Sequence, residues 1–565
     1  MTKSIKNYRS ITIIDFLSAL SSNKNITIIF YILILIFFLF LILTPTIYVI
    51  FYLFEKFDLV LAYFQTEPES FNMIVEALYY SVSVAVIVST IDLIFGIPLA
   101  WMLVRGKLPV QVQNILNTFI ELPLAVPTAG LGLSVALFWG KVPDVTAPPF
   151  SLGIINSALP LLVLFHFTTT FPYVVRSLAA ILEEIDVYLE IAGRTCGASS
   201  FTAARTITMP LFRSGVVTAL ILSLAKSLSD TGGVMAVLSA TQISVWTGTV
   251  LIGTWKHDID IAQGINLDLI PPLAFLCVTM ILVALILMTI SRLIVRKGKV
   301  PIKRVWTPTE KRLSSGFAIK ARNIITLLFL TIFVIIPSFF LILYIPVGIT
   351  GPPLIIDWGR FIQSIVNSIL VAGTATSLNV ILGVPMGIFI ARKKNKFSKL
   401  FDILVDIPYV VPSSALGFSV GLFWGGQQFI SNELFFVIMA HAAMTFPFIV
   451  RNVIGGLEDL ELSYEDTART LGAKSFHIFS LITLPIIKFS IIAGIIMAFT
   501  RSVGETGATL AVATNFETAP IFIVNLIKAE QYFGASLAII MLIIITSLVI
   551  FTLRAMFGQK KTMRA

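Results

Sequence analysis

Charge is what this sequence has least of. Asp, Glu, Lys and Arg together make up 12% of its 565 residues, about half the ~25% typical of a soluble domain. So few charges cannot clothe a water-soluble surface, and the same scarcity excludes a disordered or fibrous chain. Cysteine is nearly absent. Cys196 and Cys277 stand in unrelated segments, which excludes a disulfide scaffold and a cysteine metal site. No G-x-x-x-x-G-K-[ST] phosphate loop occurs, so the sequence carries no such nucleotide-binding motif of its own. What is abundant is apolar: 57% of residues are hydrophobic and the mean hydropathy is +0.95. The chain reads as an integral membrane protein. Its net charge of +10 would suggest nucleic acid in a soluble protein. Here it marks cytoplasmic loops beside lipid, and no nucleic-acid partner is expected.

A helix needs roughly 20 apolar residues to cross ~30 Å of hydrocarbon. Twelve stretches qualify, at about 27–53, 76–104, 117–139, 154–176, 210–240, 271–291, 323–346, 362–391, 400–424, 434–451, 485–513 and 532–553. They are too long and too uniform for barrel strands, so the predicted fold is all-α. The first stretch exceeds the h-region of a signal peptide, and no small-residue cleavage site follows it. Cations set the orientation. They gather at Lys3, Lys6, Arg9 and Lys24, in the 292–322 segment, from Arg392 to Lys399, and in the tail at Arg554, Lys560, Lys561 and Arg564. With twelve spans all of these fall on one side, which places both termini in the cytoplasm.

The two halves repeat. His166-Phe-Thr-Thr-Thr-Phe-Pro-Tyr-Val-Val-Arg176 matches the segment His441–Arg451 at 6 of 11 positions, 275 residues later. At the same offset 190–210 matches 465–485 at 10 of 21 positions, and Leu137-Phe-Trp-Gly140 recurs from Leu422 at an offset of 285. The ten-residue difference fits a longer outer loop around Val142 to Ser151 in the first half. Six spans separate equivalent points, an even number, so the repeats are parallel. The predicted organisation is a cytoplasmic segment 1–26, a first repeat 27–291 with core 76–291, a basic linker 292–322, a second repeat 323–553 with core 362–553, and a cytoplasmic tail 554–565.

Two inner loops, 177–209 and 452–484, are long, amphipathic and repeated. Both open on carboxylates (Glu183, Glu184, Asp186 and Glu190; Glu458, Asp459, Glu461, Glu465 and Asp466), which suit the start of a helix. Glu190, Gly197, Ile207 and Pro210 keep the spacing of Glu465, Gly472, Ile482 and Pro485. Gly197 and Gly472 are expected as left-handed helix stops. Ser200 or Ser475 is expected to cap a second short helix, and Pro210 and Pro485 to open the next span at its first turn. Surplus carboxylates on the side that favours cations, in a repeated Gly and Pro grid, fit a docking surface better than a plain linker.

Glu190-Ile-Ala-Gly-Arg-Thr-Cys-Gly197 with Ile207-Thr-Met-Pro210, and Glu465-Asp-Thr-Ala-Arg-Thr-Leu-Gly472 with Ile482-Thr-Leu-Pro485, resemble the EAA loop of type I ABC importer permeases, the binding-protein-dependent transport systems. The resemblance extends over about 76–291 and 362–553. The loop pair Ala192 and Gly193, and its counterpart Thr467 and Ala468, stand where the family carries paired alanines. The resemblance implies a permease of the prokaryotic cell membrane, not an enzyme, with no cofactor of its own. Two ABC ATPase subunits would bind the ATP and receive the loops as coupling helices, and an extracytoplasmic solute-binding protein would deliver the cargo. A secondary transporter of two parallel six-span halves is the alternative, although the 105–116 loop shows no acidic-plus-arginine gating motif.

Charges inside the apolar stretches need partners or water. Lys226 and Asp230 lie four residues apart, as do Arg501 and Glu505 one repeat later, each beside small residues. Lys226 falls 16 residues past Pro210, ~24 Å along a helix. The pairs either line a central pathway or hold helices in register. Pro123 with Pro127 and Pro408 with Pro412 are expected to kink or break their spans, and His166 and His441 to serve in packing or hydrogen bonding. Gly504-Glu-Thr-Gly-Ala-Thr509 is similar to a segment of sulfate, molybdate and tungstate permeases, whereas fusion of both halves resembles the ferric-iron and thiamine branches. An inorganic ion is expected, an oxyanion first and ferric iron second.

Overall fold

The computed structural model describes residues 24–106, 108–143, 151–261, 267–297, 307–349, 356–393, 395–425, 432–458 and 460–557. The predicted N-terminal segment up to Asn23, most of the 142–151 loop, linker residues 298–306, Asp459 and the tail beyond Phe557 lie outside them.

Among the described residues the chain is helical, with one isolated bridge between Gly140 and Ile155. The first half runs through α1 (Asn25–Glu55), α2 (Pro68–Arg105), α3 (Val110–Leu124), α4 (Thr128–Trp139), α5 (Ala158–Glu184), α6 (Val187–Thr195), α7 (Ser200–Ser229), α8 (Gly232–Thr241), α9 (Gly248–Ile261) and α10 (Ile270–Ile294). A short helix α11 (Thr307–Leu313) leads into the second half. There follow α12 (Gly316–Pro346), α13 (Trp358–Arg392), α14 (Lys396–Val410), α15 (Ser413–Gly425), α16 (Glu433–Glu458), α17 (Leu462–Thr470), α18 (Phe476–Val503), α19 (Gly507–Val512), α20 (Ala519–Lys528) and α21 (Tyr532–Thr552). Among the described residues ten helices are long and apolar enough to cross a membrane, and counting each bent pair α3–α4 and α14–α15 as one span gives twelve.

Several predicted spans are discontinuous. The pairs α3–α4 and α14–α15 turn through 101° and 106°. Val126 and Val411, each just before a proline, are extended at ψ 130° and 129°, because a following proline ring disfavours the helical conformation. The stretches 210–240 and 485–513 also break, at Asp230–Thr231 and at Gly504–Thr506.

The other correction concerns the loops. α5 and α16 continue to Glu184 and Glu458, so the true connections are shorter than 177–209 and 452–484. No separate second short helix forms, since α7 and α18 are continuous through Pro210 and Pro485. π-Turns at Ala204–Thr208 and Phe479–Thr483 precede the prolines. A wider turn leaves room for a ring that would clash with the carbonyl one turn back. The cap is Ser199, one residue earlier than expected, whose hydroxyl accepts from the Thr202 amide at 3.2 Å.

The halves interlock through their first helices. α1 packs on α15 of the second half, and α12 packs on α4 of the first. In both places a serine enters the helical ladder of its partner. Ser419 Oγ donates to the Pro45 carbonyl at 2.7 Å and accepts from the Val49 amide at 2.9 Å. Ser134 Oγ donates to the Pro337 carbonyl and accepts from the Leu341 amide at 3.2 Å. Where hydrocarbon surrounds the protein, such polar contacts and close packing replace the hydrophobic drive. Rings complete the seams: Phe38 lies 5.2 Å from Phe446, and Phe329 stacks on Phe95 at 3.4 Å.

Candidate functional site

Each long loop is built as a helix, a glycine stop and a return into a long helix. Asp186 starts α6, its carboxylate accepting from the Tyr188 amide at 2.9 Å. At the far end Gly197 takes φ +88°, and Gly472 takes φ +87° at the end of α17. Both stops carry the same two bonds. Gly197 N donates to the Arg194 carbonyl and Ala198 N to that of Gly193, as Gly472 N does to Arg469 and Ala473 N to Ala468. The left-handed residue that this motif requires carries no Cβ penalty in glycine. The close approach at Gly193 has a clear cause, since a Cβ there would strike Ile207. Thr467 satisfies its own hydroxyl on the Ser463 carbonyl at 2.7 Å.

The acidic residue of each loop points inward. Glu190 Oε1 accepts from Arg105 Nε at 3.1 Å and from Thr208 Oγ1 at 2.9 Å. Glu465 Oε1 accepts from Arg392 Nη2 and from Thr483 Oγ1, both at 2.9 Å. One carboxylate thus ties α6 or α17 to the end of the second helix of its half and to the π-turn of the returning helix. The sequence reading missed Arg105, Arg392, Thr208 and Thr483, although the arginines and the threonines both recur in register. What faces outward is different: Tyr188 (72% exposed) and Leu471 (83%) stand among exposed carboxylates, an amphipathic surface suited to another protein.

The first loop has an additional brace. Glu310 of α11 accepts from Thr202 Oγ1 at 2.6 Å and from Arg205 Nη2 at 2.8 Å, and Ser314 Oγ accepts from the Phe201 amide. Glu310 appeared in the sequence only as the single acid of a basic linker.

The charge pairs lie at the junction of the halves. Lys226 Nζ meets Asp230 Oδ2 at 3.0 Å, and Arg501 pairs with Glu505. Each carboxylate has a second partner, because Asp230 accepts from the Gly233 amide at 3.2 Å and Glu505 from the Ala508 amide at 2.9 Å. Each therefore also caps the helix that follows the break. The breaks face each other: a Cβ on Gly232 would collide with Thr506, and one on Gly507 with Thr231. Ser413 bridges the halves beside them, donating its amide to Ser229 Oγ at 3.0 Å and its hydroxyl to the Ser229 carbonyl at 2.9 Å. His441 hydrogen-bonds Ser502 Oγ and Thr509 Oγ1 at 2.7 and 2.8 Å, while His166 packs edge-on against Phe165.

Among known proteins, a family model described as binding-protein-dependent transport system inner membrane component matches residues 93–299 and again 383–563. A molybdate/tungstate transport system permease protein of Methanocaldococcus jannaschii is 30% identical over 209 residues, 35% of this chain and 83% of the relative. A sulfate transport system permease protein of Salmonella typhimurium is 27% identical over 279 residues, 45% of this chain and 97% of its own. A molybdenum transport system permease protein of Escherichia coli is 33% identical over 165 residues, 26% of this chain and 72% of its own. Each alignment fills most of the relative and less than half of this chain, so a relative corresponds in length to one half.

Proposed function

Because the chain belongs to the family of binding-protein-dependent transport system inner membrane components, we propose that it is the oxyanion permease of an ATP-driven importer, with both membrane halves in one polypeptide. Family membership makes it a multi-pass cell-membrane transport protein and sets aside the secondary-transporter alternative. The cargo reading draws on the printed activities of the molybdate/tungstate, sulfate and molybdenum relatives. No relative cited here points to ferric iron.

The observation that carries the proposal is the matched pair of loops, each with an inward carboxylate brace and an outward apolar and acidic face. The loops lie on the cation-rich side, the cytoplasm, as do both termini. Each docks as a coupling helix on one of two ATPase subunits. Closure of those subunits on ATP draws Glu190–Pro210 and Glu465–Pro485 together. The braces at Arg105 and Arg392 pass the movement to the membrane helices, which rock about the junction and open the pathway toward a loaded binding protein. The chain itself breaks no bond. Lys226, Asp230, Arg501 and Glu505 line the pathway.

The test is reconstitution. The full chain, co-expressed with ATPase and binding-protein genes from its own operon, should drive ATP-dependent uptake of molybdate, tungstate or sulfate in proteoliposomes. Uptake without any nucleotide hydrolysis would refute the proposal. Lys226→Ala and Arg501→Ala variants that reach the membrane and transport normally would limit the ion pairs to a structural role.

A further inference from the structure

The two facing breaks contain hydroxyls without a visible purpose. Thr231 and Thr506 are each 2% exposed, and neither Oγ1 has a hydrogen-bond partner. A buried hydroxyl left unpaired is unfavourable, and here two occur at equivalent positions of the repeat. Each leans on the glycine after the other, Thr506 on Gly232 and Thr231 on Gly507. No side chain separates hydroxyl from backbone at the point where the halves cross. The N-terminus of α8, a ten-residue helix, opens there beside the Asp230 carboxylate that caps it.

The flanking ion pairs complete the setting. Lys226 and Arg501 are the cations, and Asp230 lies in the field of Arg501 as Glu505 does in that of Lys226. Because each carboxylate also holds a backbone amide, either cation can turn to a passing anion without leaving its carboxylate unpartnered. Two buried hydroxyl donors and a glycine-lined approach, set between two ion pairs that are each neutral, suit the oxygens of one tetrahedral oxyanion.

We propose that the crossing of Thr231–Gly232 with Thr506–Gly507 is an oxyanion-recognition site within the pathway, closed in this conformation and opened when the halves rock apart. Thr231 and Thr506 donate to the anion, and Lys226 and Arg501, each shared with its own carboxylate, face it. The Ser229–Ser413 bridge is the adjoining contact that must part. This inference rests on the oxyanion-importer reading above.

Tungstate uptake into proteoliposomes containing the full transporter tests it. Threonine to valine keeps the shape and removes the hydroxyl. The Thr231→Val/Thr506→Val double variant should lose uptake at least tenfold at an unchanged membrane level. The Thr231→Ser/Thr506→Ser variant should remain within twofold of the parent. If the double valine variant does not accumulate, the single valine variants replace it, each expected three- to tenfold lower. Unchanged tungstate uptake in the valine variants, or loss shared equally by the serine variant, would overturn the site and leave the importer standing. No uptake of tungstate, molybdate or sulfate by the unaltered protein would instead overturn the reading beneath it.

Discussion

The two halves share a backbone plan and differ in the chemistry they hang on it. At one buried position of the second helix the first half carries Asp92 and the second Asn379. Asp92 Oδ2 accepts from Thr170 Oγ1 and Ser223 Oγ at 2.7 and 2.6 Å. Asn379 instead donates to the Ala442 carbonyl and Thr445 Oγ1 at 3.0 and 2.8 Å. The position of Ser223 is occupied by Ala498 in the second half, so one of the two donors that hold Asp92 is missing there. The histidines diverge in the same way, because Thr509, a partner of His441, is replaced by Val234 beside His166. Lys–Asp faces Arg–Glu, and the Glu310 brace serves the first loop. A homodimer has to make both copies identical. A fused chain is free to tune them separately while glycines, prolines and braces keep the two loops alike.

The sharpest way to break this comparison is at the braces. Glu465→Ala removes a carboxylate with a 7% exposed side chain from Arg392 and Thr483. It should cost about 3 kcal/mol, the low end for removing one partner of a buried pair. Glu190→Ala should cost less, its side chain being 14% exposed. ATP-driven uptake by the two variants, normalised to membrane level, checks the order, and equal losses would mean that burial does not set the effect. Next come the acid and amide. Asn379→Asp should destabilise by at least ~2.5 kcal/mol, the insertion cost of an unpartnered intramembrane charge, whereas Asp92→Asn should leave thermal unfolding close to the parent. A reversed order would show that Asp92 needs its charge. Gly472→Ala and Gly197→Ala should each cost about 1–2 kcal/mol from backbone strain alone, since nothing lies within 4 Å of an added Cβ. The two should agree in melting temperature. The most local effect is expected of Glu310→Gln, which keeps the shape of a buried side chain and removes the charge that pairs with Arg205. It should quicken hydrogen exchange over 200–208 and leave 475–483 untouched, and a change in both would mean that the linker acts on the whole coupling face.

The repeat carried most of what was legible in the sequence. Gly197 and Gly472 could be identified as stops because only a left-handed cap needs glycine at that offset, and the charge pairs because four-residue spacing in apolar surroundings is rare. What stayed hidden depended on the third dimension. Pro210 and Pro485 look like helix starts, and nothing in their neighbours announces the π-turns that let the helix run through them. Lys226 and Asp230 read as one turn of one helix, yet Asp230 is extended at ψ 123° and caps the next. The exchange of α1 and α12 between halves left no trace in hydropathy, because a lipid-facing helix looks the same whichever neighbour it has. Ser419 and Ser134 occur in register, but a serine alone does not say whose ladder it enters.

That exchange sets a timetable for synthesis. Val49 rests on Ser419, 370 positions further along the chain. At 5–20 residues per second on the ribosome, the first helix would wait roughly 20–70 s in the bilayer for its mate to emerge. During that interval the amino-terminal portion is an unfinished object with a bare seam. Factors that shelter nascent membrane segments, or slow codons near the middle of the message, would then affect yield more strongly than any later step.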